Sequence, residues 1–556
     1  MKHLYLFLLA CISFFITQAQ IVNIPDVNFK NTLINEFCVD TDLDGYPDAI
    51  ADLNNDGEIS VGEAGQIYSL YLNNRGISDL TGIESFGFMS ILDCSNNNLA
   101  TLDFSSNSSL KNINCSFNQL TALDISQNVR LEHLNAFLNI NLGNVDVSQN
   151  IDLRTLILND CAIDNNLNIV NNIALTKLDI GYNNVNNIDL TQNINLEDLS
   201  LVNTDYTSLD LSFFTNLKIL TIAINDFSTI DVSQNINLIN LTASQNELLS
   251  LDVTNNTLLE KLTVNSNLLS DLDLSQNINL ETLDFTRNNI NTIDLTNNIN
   301  LNRIAISENN LQALDVSQNV KIETLFCRDN QISSLVVSDL PFLFSLVASD
   351  NPITNMDVTQ NSVLGIIGLS ETLITSLDIS NNTNIHQISL ENNQFLENIN
   401  FKNNNNNLFD QDEIHYEYVY YSEYSSNLRP YFNATNNPSL QTICVDDIAY
   451  ATSTFVNIDA TTVFVEDCSL AIIENQINNT IKVYPNPVSN KLYLESKNQL
   501  ESISIYDVNG RYVKNIQLIG NKLNSEINTS TLSIGIYFVK IKTEVGVQTT
   551  KIIKTN

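Results

Sequence analysis

Apolar and polar residues recur along most of the chain in one short pattern. From Met89 the pattern restarts every 21 or 22 residues, and one unit runs from Leu280 as LETLDFTRNNINTIDLTNN. In its first half, apolar and polar positions alternate as on a strand with one buried face. A single unit cannot bury its apolar side, whereas stacked units share a continuous core. The pattern therefore predicts a solenoid, with fifteen units starting at 89, 110, 131, 153, 175, 196, 217, 238, 259, 280, 301, 322, 343, 364 and 385.

The ninth position of the unit is asparagine in most repeats, as at Asn267 and Asn288. We expect this side chain to turn inward, where an amide is stable only if it is hydrogen bonded, here to the backbone of neighbouring coils. Cys161, Thr204 and Thr372 replace it in three repeats, and each is small and polar or polarizable. These asparagines are predicted to be structural.

The second half of the unit, L-D-V-S-Q-N in several repeats, lies only four or five residues before the next apolar strand. That leaves no room for a helix. The convex side is therefore predicted to carry short strands or tight turns, with Asp, Ser and Asn side chains bonded to local backbone. The stacked aspartates are also candidates for cation binding, although turn formation is the favoured role.

The pattern L-x-x-L-x-L-x-x-N-x-L resembles that of leucine-rich repeats from residue 67 to about residue 403. In layout the chain is similar to the extracellular internalins. The resemblance implies a mainly β leucine-rich-repeat solenoid of about 15 repeats with N- and C-terminal caps. We expect a signal peptide (1–19), an N-terminal cap (20–66), the solenoid (67–403), a Tyr-rich segment and C-terminal cap (404–470), and a small β-sandwich (471–556).

One motif carries recognisable chemistry, and it lies in the N-terminal cap. Residues 52–63 match the twelve-residue calcium loop D-x-[DN]-x-[DN]-G-x₅-E at every specified position. Calcium takes six to eight hard oxygen ligands, and this spacing brings them together. Gly57 permits the sharp turn, and Ile59 is expected to pack inward. The predicted Ca²⁺ ligands are Asp52, Asn54, Asp56, Glu58 through its carbonyl, Ser60 and Glu63.

A partial second loop starts at Asp40 and has the same D-x-D-x-D-G beginning, but Ala51 stands at its twelfth position. It resembles the shortened loops of extracellular calcium-binding repeats. Its candidate ligands are Asp40, Asp42, Asp44 and Asp48. The alternative for both loops is an acidic, turn-rich linker without metal; with metal, the role is structural.

The first residues and the overall charge indicate export. Lys2 precedes an apolar run from Leu4 to Ile16, and the small residues before Gln20 suggest cleavage after Ala19. A lipidated Cys11 is the alternative, although the apolar run continues past it. The apolar run is too short to cross a membrane comfortably, and no other stretch comes near the required length. With 25 Lys and Arg against 63 Asp and Glu, the net charge of −38 disfavours nucleic acid and anionic membranes as partners.

Strand residues between the leucines are expected to face the open concave surface, where repeat proteins bind partners. These residues become aromatic, apolar or basic from the repeat at 301, which suggests an interface. Ordinary variation is the alternative. The proposed ligand-binding set is Arg303, Phe326, Arg328, Phe344, Val347 and Ile366. Among the cysteines, Cys444 and Cys468 are the plausible disulfide pair, whereas Cys94, Cys115 and Cys327 are predicted to be buried in the core.

The last segment alternates apolar strands with turn residues, which predicts a small β-sandwich. Its motifs VYPNP at 483–487, IYDVNGR at 505–511 and GIYFVKI at 535–541 look like the type A sorting domain of type IX secretion substrates. The resemblance implies export by the type IX secretion machinery, with a secreted or cell-surface location.

No catalytic constellation is apparent. Of the four histidines, His133 and His386 fall at expected repeat surface positions, without metal or triad spacing. The sequence therefore predicts a binding or adhesion protein with a protein or glycan ligand on its concave face, and not an enzyme. The alternatives are the scaffold of an extracellular hydrolase, or a non-specific component of a surface matrix. The sequence does not name the ligand.

Overall fold

The computed structural model describes residues 20–406, 431–468 and 481–555, apart from 498, 508–511, 519–521 and 544–545. The predicted signal peptide, the Tyr-rich run at 415–424 and the candidate lipidation site Cys11 lie outside the described residues. Each repeat contributes one coil, which consists of a three-residue front strand, a turn, a back segment and a second turn.

The front strands form one parallel sheet of 17 strands within the described residues. Neighbouring strands pair in register, so that the central leucine of each strand lies beside the one in the next coil, as Leu262 does beside Leu283. These strands are β1 (Ser69–Tyr71), β2 (Ile91–Asp93), β3 (Asn112–Asn114), β4 (His133–Asn135), β5 (Thr155–Ile157), β6 (Lys177–Asp179), β7 (Asp198–Ser200), β8 (Ile219–Thr221), β9 (Asn240–Thr242), β10 (Lys261–Thr263), β11 (Thr282–Asp284), β12 (Arg303–Ala305), β13 (Thr324–Phe326), β14 (Ser345–Val347), β15 (Ile366–Gly368), β17 (Gln387–Ser389) and β19 (Tyr431–Asn433).

The back segments are tight turns in most coils and become strands near the C-terminal end of the stack. Four of them form a second parallel sheet, in the order β16, β18, β20, β21. The predicted C-terminal cap therefore contains further coils, because the parallel ladders continue beyond residue 431. The back strands are β16 (Ser376–Asp378), β18 (Asn398–Asn400), β20 (Thr442–Cys444) and β21 (Val463–Val465).

Within the described part of the chain, helices are few and lie at the ends of the stack. They are α1 (Val27–Asn35), α2 (Val61–Ala64), α3 (Ile448–Thr454) and a 3₁₀ turn at Ile83–Ser85. Asp26 caps α1 and also ties it to the first coil, because its carboxylate accepts the amides of Asn28, Phe29, Ser78 and Asp79. The cap thus closes the open end of the core, as a terminal unit of a solenoid must.

The ninth-position asparagines form a buried ladder behind the front sheet, as predicted. Asn267 donates through Nδ2 to the carbonyls of Ala243 (2.9 Å) and Val264 (3.0 Å), and its Oδ1 accepts the amide of Leu248 (3.0 Å). In the one coil with cysteine here, Cys161 Sγ takes over a contact to the carbonyl of Ala136 (3.0 Å). Each amide therefore joins its own coil to the preceding one.

A second asparagine ladder, on the back side, was not predicted. The expectation that these asparagines bond local backbone is wrong, because they point into the core and reach the preceding coil. Asn256 is fully buried, and its Nδ2 donates to the carbonyls of Val232 (3.0 Å) and Asn235 (2.9 Å). Its Oδ1 has no hydrogen-bond partner. The members are Asn107, Asn128, Asn150, Asn172, Asn193, Asn235, Asn256, Asn277, Asn298, Asn319, Asn361, Asn382 and Asn403.

The aspartates of the back segments do have the predicted turn role. In Asp294, Oδ1 accepts the amide (2.9 Å) and hydroxyl (2.7 Å) of Thr296, two residues later. The side-chain and backbone hydrogen bonds from Thr296 lower the pKa of this exposed carboxyl. The same turn recurs in most coils and keeps an aspartate on their surface, whereas Asn168 and Val336 take this place in two other coils.

The C-terminal segment folds separately into two antiparallel sheets with their own core. One sheet has the order β22, β23, β26 and the other the order β25, β24, β27, β28, which gives the predicted small β-sandwich. The strands are β22 (Ile481–Tyr484), β23 (Lys491–Ser496), β24 (Leu500–Asp507), β25 (Tyr512–Gln517), β26 (Asn524–Asn528), β27 (Gly535–Thr543) and β28 (Gly546–Lys554).

Candidate functional site

The calcium-type loop at 52–63 forms a closed turn in the N-terminal cap. Asp52 is buried, and its two carboxylate oxygens accept the amides of Asp56 (3.2 Å) and Gly57 (2.8 Å). Gly57 has φ +83°, a left-handed conformation that glycine adopts without strain. Ile59 is buried in the core, as expected, and its carbonyl accepts the amide of Val22 (2.8 Å).

Glu63 closes this loop from its far end. One carboxylate oxygen accepts the amide of Asn54 (3.1 Å), and the other accepts the amide (2.8 Å) and hydroxyl (2.9 Å) of Ser60. Ser60 in return caps helix α2 by accepting the amide of Glu63 (3.2 Å). The last predicted ligand is thus held next to the first part of the loop. Glu58 points its carboxylate to Lys30 (2.6 Å), so only its carbonyl remains a candidate ligand.

The partial loop at 40–48 has the same backbone design, twelve residues earlier. The carboxylate of Asp40 accepts the amides of Leu43 (2.7 Å) and Gly45 (2.9 Å), and Gly45 has φ +94°. Carboxylate oxygens of Asp40, Asp42 and Asp44 lie within 4.8 Å of one another.

Asp48, the fourth predicted ligand of this loop, is engaged elsewhere. Both of its oxygens accept hydrogen bonds from Thr41, at 2.9 Å from the amide and 2.7 Å from the hydroxyl. These bonds lower the pKa of Asp48, the hydroxyl bond most. The partial loop therefore brings three carboxylates together rather than four. Hard oxygen donors are the ligands calcium prefers, so the donor sets of both loops fit this ion.

The front-face patch predicted at 303–366 falls on four neighbouring strands, β12 to β15. Phe326 and Val347 are partners in register, so their side chains stack directly. Ile366 pairs with Ser345 and lies in the same row of the sheet as Arg303. All six predicted residues are half-buried, which places them on the sheet surface with part of each side chain open to solvent.

Two members of the patch are held by specific neighbours. The Nε of Arg328 lies 2.9 Å from Asp350 Oδ2, which fixes it at the margin of the apolar residues. Phe344 lies over Gly365, because a Cβ at that glycine would be 2.6 Å from the ring. A larger residue at 365 would therefore displace the aromatic ring.

His386 belongs to the same region, and sequence reasoning missed it. It was expected at the surface but is fully buried, with its ring 6.0 Å from that of Phe344. Burial lowers the pKa of the imidazole and outweighs the contact from Nδ1 to the carbonyl of Asn384, which raises it. The ring is therefore neutral near pH 7 and acts as a packing element. Gly365, at the equivalent position of the preceding coil, was the sequence feature that could have indicated the burial of His386.

The cysteines divide into one disulfide and five buried thiols among the described residues. Cys444 and Cys468, the pair singled out from the sequence, are joined in the structure and link β20 to the end of the solenoid. Cys94, Cys115 and Cys327 lie in the core as predicted. Burial raises the pKa of Cys327 to about 12 and that of Cys161 to about 11. These thiols are inert packing residues.

Comparison with protein families assigns the C-terminal sandwich. Residues 482–555 match the family described as the secretion system C-terminal sorting domain. Because this is the tail of type IX secretion substrates, the chain is a secreted or cell-surface protein. Within the described residues, no helix is both long and apolar enough to cross a membrane.

Comparison with solved structures assigns the fold of the remainder. The functional domain of InlJ from Listeria monocytogenes, described as including a cysteine ladder, aligns with a TM-score of 0.51 and 20% identity, covering 90% of this chain and 93% of that one. The LRR protein LIC12759 from Leptospira interrogans gives 0.50 and 23%, covering 61% and 87%. A TDR receptor gives 0.56 and 18%, covering 69% and 73%.

No curated protein matches the chain in a sequence search. At these identities the structural likeness defines the fold alone. The chain is a leucine-rich-repeat solenoid that carries a secretion system C-terminal sorting domain.

Proposed function

We propose that this exported solenoid binds a protein partner through the front face of strands β12 to β15. The observation that carries the proposal is a change of character along one row of the sheet. Thr242, Thr263 and Asp284 follow one another in register, and the same row continues as Ala305, Phe326 and Val347. The front face therefore changes from hydroxyl and carboxylate groups to apolar and aromatic ones.

Such a patch has the composition of an interface centre. Aromatic and arginine side chains are enriched at the centres of protein interfaces, while charged carboxylates are depleted there. Phe326, Val347 and Phe344 provide the apolar centre, and the Arg328–Asp350 pair provides a polar margin. In-register strands hold these side chains on a rigid sheet, which reduces the entropy lost on binding.

The test compares two variants of the exported chain. Proteins from the surface and medium of the producing cells are captured on the immobilised chain, and the captured protein is purified for calorimetry. Phe326→Ser/Val347→Ser should weaken its binding by about a hundredfold, since two interface anchors cost roughly 3 kcal/mol. Thr242→Ser/Thr263→Ser, two matched changes in the polar part of the same row, should leave affinity unchanged.

Equal affinity of the two variants would refute the assignment to this patch. Saturable binding to purified polysaccharide, with no protein bound, would replace the protein ligand by a glycan. The proposal requires no catalytic residue, and a non-enzymatic role stays a prediction.

We further propose that Ca²⁺ binds the N-terminal cap and stiffens it. The support is the donor set: Asp52, Asn54, Asp56, Ser60 and Glu63 surround one turn, and three carboxylates converge in the preceding loop. Without a cation, these carboxylates repel one another at short range. A bound ion would offset that repulsion and raise the stability of the folded cap.

Calcium titration of the chain, by calorimetry and thermal melting, tests this role. Binding at a concentration a hundred times the dissociation constant should stabilise the cap by about 2.7 kcal/mol. Glu63→Gln keeps one acceptor oxygen, for Ser60 at the start of α2, but loses the second acceptor and the charge, so it should weaken Ca²⁺ binding while the cap stays folded. Asp294→Asn, in an exposed turn of the solenoid, is the control. A wild-type chain that gives neither binding heat nor a shift in melting temperature would refute the proposed role of calcium.

A further inference from the structure

An exposed apolar stripe runs along the turns that lead from the back segments into the front strands. The residue directly after each back-ladder asparagine occupies the same place in every coil. In eight coils this residue is isoleucine or valine, and each is between 45% and 57% exposed. The eight residues are Val129, Ile151, Ile173, Ile194, Ile236, Ile278, Ile299 and Val320.

The surroundings of this edge stripe are mostly uncharged. The exposed position two residues before each stripe residue is glutamine or asparagine in most coils, as at Gln192 and Gln234. The position after it is often asparagine, as at Asn195 and Asn237. In a chain with net charge −38, the margin of the stripe is mostly neutral, and the position after the stripe residue is charged in only three of the eight coils, at Arg130, Asp152 and Lys321. An apolar centre with a neutral polar margin is the arrangement of a protein interface.

The stripe is also held in place. Asn195 donates through Nδ2 to the carbonyl of Ile173 in the preceding coil (2.9 Å), and Asn237 does the same to Thr215 (2.9 Å). Coils are hydrogen bonded to one another at both front and back at similar distances, about 3 Å, as Asn267 and Asn256 show. These bonds between neighbouring coils hold the stripe residues at regular positions along the stack.

We propose that the edge stripe is the interface between two antiparallel copies of this chain, with the two-fold axis at Ile236. Outward from that residue the stripe has the same order for three coils on each side. Thr215 precedes Ile236 and Thr257 follows it, and beyond each threonine lie two isoleucines. An antiparallel two-fold pairs each residue before the axis with its counterpart after it, so threonine would face threonine and isoleucine would face isoleucine.

Charge complementarity selects the same axis independently. Asp152 follows the stripe residue four coils before Ile236, and Lys321 follows the one four coils after it. Both side chains are exposed, and Lys321 Nζ donates to the neutral amide oxygen of Asn300 (2.8 Å). The antiparallel two-fold brings Asp152 of one copy to Lys321 of the other, twice per dimer. Shifting the axis by one coil loses both the threonine match and these ion pairs.

The area is sufficient for a stable pair. Eight half-exposed aliphatic side chains offer roughly 700 Å² on each copy, against about 800 Å² per partner in a standard interface. The stripe carries none of the patch residues on β12 to β15, so this inference does not depend on the proposed function. Its occupant is a second copy of this chain, because the symmetric order of residues around Ile236 and the Asp152–Lys321 pair both complement the chain's own sequence.

Sedimentation velocity over a concentration series, up to about 0.1 mM, tests the pair. The wild-type chain should form a dimer, and Ile236→Asp, which places two carboxylates at the axis, should shift the dissociation constant at least a hundredfold. Leu249→Asp is the matched control, since Leu249 is 59% exposed but lies off the stripe. A chain that stays monomeric throughout, or equal effects of the two variants, would overturn the proposal.

Two further variants test the orientation. Asp152→Lys and Lys321→Asp should each weaken the dimer about tenfold, and the double variant should restore it, because the ion pair is reversed rather than lost. Ile236→Cys should form an intermolecular disulfide on oxidation, whereas Ile299→Cys should not, because it faces Ile173 of the other copy. Cross-linking at both positions would indicate parallel packing and refute the antiparallel interface.

Discussion

Replacing Asn267 with leucine should destabilise the solenoid far more than the same replacement of Asn256, although both side chains are buried. Asn267 belongs to the front ladder, and its Oδ1 accepts the buried amide of Leu248 at 3.0 Å. Asn256 belongs to the back ladder, and its Oδ1 accepts no hydrogen bond. Leucine has the branched shape of asparagine but a larger volume, so both changes add a similar overpacking cost and differ mainly in which polar groups lose a partner.

The expected loss of stability depends on which backbone groups keep a hydrogen-bond partner after the substitution. The carbonyls of Ala243 and Val264 lose Asn267, but each keeps another donor, from Asn246 (3.1 Å) and Asn288 (3.0 Å). Only the amide of Leu248 is left without its acceptor. An orphaned buried N–H costs about 1–3 kcal/mol, and the lost bonds add about 1 kcal/mol each, which gives roughly 3–5 kcal/mol for Asn267→Leu.

The back ladder has no such amide to lose. The carbonyls of Val232 and Asn235, which accept from Asn256, also accept the amides of Asn235 and Leu238 (3.0 Å each). The substitution also removes an unbonded buried oxygen, which is itself unfavourable. We therefore expect Asn256→Leu to cost about 2–4 kcal/mol less than Asn267→Leu.

The assay is urea unfolding of each variant by circular dichroism, since the chain has no tryptophan to report by fluorescence. Long repeat arrays can unfold in parts, so hydrogen exchange at the amide of Leu248 gives a local reading beside the global one. A cost for Asn256→Leu as large as that for Asn267→Leu would refute the reasoning, because the two ladders would then contribute alike.

Three shorter predictions follow. Ile224 has φ +58°, which strains a β-branched residue, so Ile224→Asn should stabilise the chain by about 1 kcal/mol. Asn203→Ile, at the equivalent place in the preceding coil, should destabilise it by the same amount. Urea unfolding measures both changes. Burial raises the pKa of Asp284, so the charged form of this side chain opposes folding. Asp284→Asn should therefore raise the urea midpoint at about pH 7. This gain in stability should vanish below the pKa of the unfolded state, about 4, where the carboxyl is neutral in both states. Reducing the Cys444–Cys468 disulfide should lower the stability of the C-terminal end by about 3 kcal/mol, seen as faster hydrogen exchange in β20 and β21.

Much of the fold could be predicted from the sequence because each repeat has its apolar residues at the same positions, which fixes how neighbouring strands pair. L-x-x-L-x-L fixes which side chains of each strand face inward, and the ninth-position asparagine lies between two turns where only an inward amide fits. The back asparagines follow Asp, Ser and Gln, and that composition is typical of a surface turn, so their burial was missed. The clue was substitution: Phe214 and Leu340 replace them, and apolar residues do not replace an exposed turn asparagine in this way.

The candidate sites were less predictable, because they depend on contacts between coils. His386 has an ordinary surface position within its own repeat, and it becomes buried only because Gly365 in the preceding coil leaves space beside Phe344. Asp48 has the spacing of a ligand, but Thr41 engages both of its oxygens. In each case the deciding neighbour lies outside the motif, so spacing alone could not reveal it.

The two proposed surfaces have a joint consequence, because they occupy different parts of each coil. The front-face patch lies on strands β12 to β15, whereas the edge stripe lies on the turns that precede the front strands, centred on Ile236. A dimer through the stripe therefore leaves both patches accessible. Two linked sites on one particle bind a surface that displays many copies of a partner more tightly than either site alone, by effective concentration. Ile236→Asp should then weaken binding to a dense partner surface while leaving binding to the soluble partner unchanged. Phe326→Ser/Val347→Ser should weaken both, so that failure of one proposal is distinguishable from failure of the other.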